Sequence, residues 1–384
     1  MLDNIRVLDL TMHLSGPYCC WLLGSLGADV IKVERPDGGD PVREVGPFVQ
    51  GQSTYFGSVN RNKRGVVLDL KTAEGKRNLA ELIKTADVLV ENFRAGVLAR
   101  LGFDEAELRR LNPNLIYASI TGFGQQGAMN KRPAFDIVIQ GMSGLMSMTG
   151  AADGAPTSVG VSIADLTTGI FTALDVVAAL VQRERTGKAR RIDVAMLDCQ
   201  MALLENAAAR YLNAGEVPTR VGSRHPKITP FQPYPTKDGR IVVAADGESN
   251  WQRMCQAMGL RHLLEDPRFI DNETRVRHYD EIEALLFEVF AQKTSAEWLD
   301  LLIAADVPCG PINTVPDTLE MQQVKERQMI SEVVLEDGAV LKFVASPVGP
   351  RGARQERPAP ALGQHTNEVM AELRAATAVA GNAS

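Results

Sequence analysis

From residue 5 to residue 124 the chain alternates between short, unbroken apolar runs and longer stretches whose apolar residues recur at helical spacing. The runs IRVLDL (5–10), DVIKVE (29–34), GVVLDL (65–70), DVLVEN (87–92) and NLIYASITGFG (114–124) read as strands. GPYCCWLLGSLGA (16–28) reads as a helix, as does AEGKRNLAELIKTA (73–86) with Leu79, Leu82 and Ile83 on one face, and 95–111 reads as a helical pair. Strands that alternate with helices predict a parallel sheet covered on both faces, which is a doubly wound, Rossmann-like α/β domain. A further long helix is predicted through VSIADLTTGIFTALDVVAALVQRERTGK (161–188), where Asp175 is the sole charge between Asp165 and Arg183.

The pattern changes at 213–239, where Pro218, Pro226, Pro230, Pro233 and Pro235 interrupt any periodicity, so a long connection between domains is expected. Beyond it lie a strand at GRIVVAADG and helices near 250–259, 279–292 and 295–304. A hairpin is expected over 331–348, turning at EDG, and a last helix at GQHTNEVMAELRAATA.

A length of 384 residues favours two domains. The net charge of −6 argues against a nucleic-acid partner. No apolar run is read as reaching the roughly 18–20 residues that span a bilayer, so no membrane partner is expected. The start MLDNIRVLDL carries acids and leads straight into a strand, unlike a signal peptide. Cys19, Cys20, Cys199, Cys255 and Cys309 lack metal-ligand spacing and read as reduced thiols, so a cytoplasmic location is expected. The histidines form no HExxH or His-x-His cluster, and no metal site is expected.

The first strand–helix–strand unit imitates a dinucleotide-binding fold, but its turn LSGP has one glycine where the G-x-G-x-x-G fingerprint needs three. Cations gather instead: Arg35 follows the second strand, Lys71 the third, and Asn92, Phe93 and Arg94 the fourth, with Arg100 just beyond. Ligands of open α/β sheets bind outside the carboxyl ends of the strands, so these residues predict a polyphosphate ligand. For Asp165 two readings stay open on residue chemistry alone. It is a good helix N-cap, worth about 1 kcal/mol against Ala, and it is also a carboxylate with small neighbours, able to act as a covalent nucleophile.

The motifs RVLDLT…SGP, LGSLGADVIKVERPDGGDPVR, VNRNKRGVVLDLKTAEGK, VLVENFRAGVLARLGF, RPAFDIVIQGMSGLMSMTG, ADLTTG and ERTGKARRIDVAML occur in this order. KDGRIVVAADG, VPCGPINTV and ALGQHT follow them. Together they resemble the family III CoA-transferases, relatives of the α-methylacyl-CoA racemases, along nearly the entire chain. The resemblance implies a large α/β domain from 1–212 and 326–384, a linker at 213–224, a smaller α+β domain at 225–325, and an interlocked homodimer. It implies CoA transfer from an acyl-CoA to a small carboxylic acid, with coenzyme A as substrate and product and no tightly bound cofactor.

In that family the nucleophile is an aspartate in a D-x-x-x-G setting, which Asp165 and Gly169 match. The CoA contacts carry over to Arg35, Leu68, Lys71, Asn92, Phe93 and Arg100. His13, Ser15, Arg43 and Gly247 are candidates for the acyl group or a second carboxylate, with Arg224 and His225 as further ones. The segment GPFVQGQSTYFGSVNRNK is closest to members that handle succinate and glutarate. The racemases carry a histidine where this chain has Phe135, so transfer is favoured over racemisation. A glycine-rich lid of formyl-CoA transferases is reduced here to Gly247 in AADGESNW. An acyl-CoA racemase or isomerase, and a non-catalytic CoA-binding protein, are the alternatives.

Overall fold

In the computed structural model of the chain, residues 1–349 and 356–381 are described. They divide into two compact units. The first comprises Met1–Leu145, Ser158–Glu216 and the chain from Gln322 on, and the second Met146–Thr157 with Val217–Met321.

The first unit is built on β1 (Arg6–Asp9), β2 (Asp29–Glu34), β5 (Arg64–Val67), β6 (Val88–Glu91), β7 (Ile116–Thr121) and β8 (Arg191–Ala195), with a small hairpin of β3 (Phe48–Val49) and β4 (Gln52–Ser53) ahead of β5. The sheet order is β5-β2-β1-β6-β7-β8, and every pairing is parallel. Successive residues feed opposite faces, as strand geometry requires. Val7, Val30, Val88 and Val90 join one core with the helices Ser15–Ser25 and Ile163–Thr186. Leu8, Ile31, Val66 and Leu89 join another with the helix Ala73–Thr85 and Val369 of the last helix. Burial on both faces explains why these strands read as continuous apolar runs.

Two expectations need correction here. The sequence reading stopped at five strands, whereas β8 extends the sheet by a sixth; its RIDVA pattern is only partly buried and mixes charge with apolar residues. The helix Ile163–Thr186 is also long and apolar enough, by length and composition, to cross a bilayer, contrary to the expectation of no such run. Ala164, Thr168, Gly169, Thr172, Ala173, Val176, Ala179 and Leu180 are its buried face, packed into the core of this unit. Thr168 and Thr172 donate their hydroxyls to the carbonyls of Ala164 (2.6 Å) and Thr168 (2.7 Å), which satisfies polar groups in an apolar setting.

The second unit has an antiparallel sheet, β11-β10-β9, of β9 (Phe231–Pro235), β10 (Arg240–Ala244) and β11 (Cys309–Pro311). Helices Glu248–Ala257, Tyr279–Phe290 and Ser295–Ala304 pack around Trp251, Phe290 and Trp298. β9 lies inside the stretch expected to be a connection. Its prolines are tolerated because it is an edge strand. The hairpin of β12 (Ile330–Val334) and β13 (Val340–Val344) belongs to the first unit.

Candidate active site

β1 lies between β2 and β6, so the chain leaves it in one direction and returns on the other side. The crevice outside the carboxyl ends of β1 and β6 is therefore the switch point where open α/β sheets bind ligands. Asn92, the residue after β6, bridges it: its Oδ1 accepts from Met12 N (2.8 Å) and its Nδ2 donates to Met12 O (2.7 Å).

The turn from Thr11 to Ser15 is held by buried charges. Thr11 donates its amide (2.9 Å) and its hydroxyl to Asp9 Oδ1, and Lys32 Nζ donates to Thr11 O (2.8 Å). His13 has φ +65°, an uncommon conformation for a residue with a side chain, and its amide donates to Asp40 Oδ1 (3.1 Å). Lys63 pairs with Asp9 (2.7 Å) and Lys32 with Asp40 (3.0 Å), all four side chains being almost fully buried. Burial alone would raise the pKa of Asp9, but Lys63 and Lys32 outweigh it and bring it down to about 2.

Helix Ser15–Ser25 starts from this turn and packs closely on Ile163–Thr186. A Cβ on Gly169 would lie 2.7 Å from Ser15 O and 3.1 Å from Tyr18 Cδ1, so only glycine allows the approach. Residues four apart share a helix face, and Asp165, one turn before Gly169, is thereby brought to Ser15. The Ser15 hydroxyl and amide act on its carboxylate as donors that lower its pKa. The D-x-x-x-G spacing thus has a steric cause.

Asp165 is not the cap of its helix. It stands at the third helical position, and Ser162 at the N-cap makes no side-chain bond. The cap comes from Asp136, at the start of helix Asp136–Met142, whose Oδ1 accepts from Ala164 N (2.7 Å) and Asp165 N (3.3 Å). Burial, first, and the nearby Asp136 charge, second, raise the pKa of Asp165 to about 6, against the lowering effect of Ser15. Relieved of capping and, among the described residues, without a cationic partner, this carboxylate has the character of a reactive group.

Asp165 lines a cavity of about 350 Å³ together with His13, Ser15, Asn92, Phe93, Arg94, Arg132 and Phe135. The His13 and Phe135 rings meet edge to face at 5.9 Å. Among the described residues neither Arg94 nor Arg132 has an acidic partner, and Arg132 lies 5.9 Å over the Phe123 ring. Of the residues carried over as CoA contacts, Asn92 and Phe93 reach this cavity; Arg35, Leu68, Lys71 and Arg100 do not line it. They occupy the same carboxyl edge. Leu68 N donates to Glu34 O (2.9 Å), tying the ends of β2 and β5 beside Arg35, whose Nε donates to Gly39 O (3.0 Å). Arg35, Lys71 and Arg100 are exposed, and Leu68 is a core residue.

The carboxylate candidates separate. His13 and Ser15 are in the cavity. Arg43 makes a forked pair with Glu34 (2.8 and 2.6 Å), donates to Pro360 O (3.0 Å) and covers the Phe56 ring at 3.7 Å, so its guanidinium already has partners. Gly247, with φ +80°, starts a helix of the second unit. Arg224 lies 3.9 Å over the Tyr279 ring and His225 packs on Phe231, as ordered parts of that unit.

Sequence reasoning missed Asp136 and Tyr55. Tyr55 is half-buried on helix Thr54–Asn60, and burial followed by the charges of Asp165, Asp40 and Asp136 raises its pKa, so its phenol lies within electrostatic range of these carboxylates. Nothing in GQSTYFGS signals that position. RPAFDIVIQ does place Asp136 and Gln140 one helical turn apart, the usable sign of a local pair.

Known proteins resemble this chain along most of its length. The model of CoA-transferase family III matches residues 2–366. A succinate–glutarate CoA-transferase of Agrobacterium fabrum is 41% identical, over 97% of this chain and 95% of that protein. An acetyl-CoA:oxalate CoA-transferase of Acetobacter aceti is 41% identical over 85% of each. The crystal structure of a CAIB/BAIF family protein from Brucella suis is 38% identical with a TM-score of 0.85, covering 97% of this chain and 99% of that one.

Proposed function

The chain belongs to CoA-transferase family III and is an enzyme of that class, and from this premise we propose that it moves CoA between small dicarboxylic acids through covalent intermediates on Asp165. The observation that carries this reading is a carboxylate with a pKa raised to about 6, unpaired with any cation among the described residues and relieved of its capping role, facing a cavity at the sheet's switch point. At neutral pH it is mostly ionised and more basic than an ordinary aspartate, which suits attack on an acyl carbon.

In the proposed sequence, a carboxylate oxygen of Asp165 attacks the thioester carbonyl, the C–S bond breaks, and an aspartyl–acyl anhydride and CoA thiolate result. The thiolate attacks the aspartyl carbonyl, releasing the donor acid as its carboxylate and leaving an aspartyl–CoA thioester. An acceptor carboxylate then attacks this thioester to give a new anhydride, and the thiolate takes the acceptor acyl group, which restores Asp165. Each step exchanges one activated acyl group for another, so ATP is not consumed. In this reading Arg35, Lys71 and Arg100 meet the phosphates of coenzyme A, Leu68 its adenine, and Asn92 and Phe93 the pantetheine arm. The free guanidinium groups of Arg94 and Arg132 make the cavity suitable for anions.

The dicarboxylate preference rests on the relatives named for succinate–glutarate and oxalate transfer and on the polar His13 and Ser15 in the cavity. It also includes an interlocked homodimer. The long helix and its neighbours expose Ile170, Phe171, Leu174 (63%), Val181, Tyr211 and Leu212 (78%), an apolar surface that a second copy would cover. The test is a panel of mono- and dicarboxylate acceptors with succinyl-CoA, for the wild-type chain and Asp165→Ala. Wild-type transfer to succinate-sized diacids, abolished in a folded Asp165→Ala protein that still binds CoA, is expected. Transfer to monocarboxylates alone would overturn the substrate assignment.

One observation favours a second reading. His13 brings an imidazole into the Asp165 cavity from a segment other than the one carrying Phe135, and an imidazole with a carboxylate can exchange an α-proton. Solvent deuterium entering the α-carbon of a branched acyl-CoA would establish racemisation.

A further inference from the structure

Asp136 has both carboxylate oxygens committed. Oδ1 accepts from the amides of Ala164 and Asp165, and Oδ2 accepts from Gln140 Nε2 at 2.6 Å. Gln140 is almost fully buried, and its orientation is fixed from the other side, because its Oε1 accepts from Val159 N at 2.9 Å. It therefore presents NH₂, not oxygen, to Asp136. Every contact of the Asp136 carboxylate is with a donor, the pattern of an ionised acid. An asparagine here would satisfy the helix amides yet turn its own NH₂ toward that of Gln140. The helix cap alone would be served by Asn or Ser, so the network selects for charge.

We propose that Asp136 is a positioning residue: an ionised carboxylate, anchored by Gln140, that caps the helix bearing Asp165 and so leaves the Asp165 side chain free to face the cavity as nucleophile. The inference rests on the reading of Asp165 as nucleophile. It divides two neighbouring carboxylates into one that holds and one that reacts. The groups facing Asp165 are Asp136 from its helix, His13 and Ser15 from the turn, Tyr55 from helix Thr54–Asn60, and Arg94 and Arg132 from the cavity wall. Asp136 is the one whose charge raises the pKa of Asp165.

The test compares wild type with Asp136→Asn, Asp136→Glu and Gln140→Leu, reading kcat and KM for succinyl-CoA across pH and the rate at which hydroxylamine traps an adduct on Asp165. For Asp136→Asn, kcat and the trapping rate are expected to fall about 100-fold, the scale of a misplaced reacting group, with KM little changed. The acid limb of kcat/KM is expected to move down from near pH 6 as the like charge is removed. Asp136→Glu keeps the charge, so its limb should stay in place while its rate falls. Gln140→Leu should lower kcat without moving KM.

A folded Asp136→Asn protein with wild-type turnover and an unmoved limb would overturn the proposal. If that variant does not fold, wild-type turnover by both Asp136→Glu and Gln140→Leu would do so. Absence of any Asp165 adduct in the wild type would instead remove the nucleophile reading itself, a separate result.

Discussion

Two acids bracket the turn from Thr11 to Ser15, and the fold treats them oppositely. Asp9, at the end of β1, is fully buried, bonded to Thr11 and paired with Lys63, and its pKa is brought down to about 2. Asp165 is half-buried, near Ser15 and a second acid and, among the described residues, without a cationic partner, and its pKa is pushed up to about 6. Burial disfavours both charges, so the difference comes from the neighbours: two lysines in one case, Asp136 in the other. The first carboxylate is part of the scaffold and the second is available for chemistry.

The comparison is broken most severely by removing the lysine. In Lys63→Met, Asp9 loses its ion-pair partner and is left with Lys32 alone, which also pairs with Asp40, and denaturant unfolding should show a loss of about 3–5 kcal/mol. The double variant Asp9→Leu with Lys63→Met should recover much of this, since a buried pair is readily replaced by apolar packing. A Lys63→Met protein as stable as wild type would show that the pair does not support the turn.

A smaller effect is expected from Gly169→Ala. The added methyl would lie 2.7 Å from Ser15 O, a backbone atom, so the helices must separate at a cost of about 1–3 kcal/mol. Because Ser15 then leaves Asp165, turnover should fall further than stability explains, which steady-state kinetics beside thermal unfolding would show.

An effect of similar size has the opposite sign. Asp165 takes up its proton more readily in the folded than in the unfolded chain, so its ionisation weakens folding as pH rises from about 4 to about 6, and the penalty is complete above that. Asp165→Asn removes it and should stabilise the protein at pH 7 by about 1–3 kcal/mol, with the gain vanishing below about pH 4. Asp9 behaves inversely: its contribution is present above about pH 4 and lost as pH falls toward 2. Stability curves of Asp165→Asn and wild type that stay parallel through this range would contradict the assignment.

The legible parts of this fold follow from local pattern. The central strands were readable because parallel strands buried on both faces leave unbroken apolar runs, as in DVIKVE and DVLVEN. Asp165 stood out as a lone charge entering an apolar helix, and the cations read after β2, β5 and β6 fall beyond the carboxyl ends of those strands. What the sequence hid depends on distance along the chain. The cap of the Asp165 helix comes from Asp136, 29 positions earlier, so a composition-based assignment of Asp165 as its own cap was the natural error. Arg43 is a candidate for a second carboxylate in the sequence, but Glu34 already holds it. β9 was masked by its prolines and β8 by its charges, since edge strands need not be apolar on both faces.

The most direct test of the central claim is chemical. The protein is incubated with succinyl-CoA and other acyl-CoA donors, quenched with hydroxylamine, and the modified peptide is located by mass spectrometry. The account predicts a hydroxamate on Asp165 and on no other carboxylate, Asp9 and Asp136 included. Absence of an adduct with every donor, in protein shown to bind CoA, would contradict it.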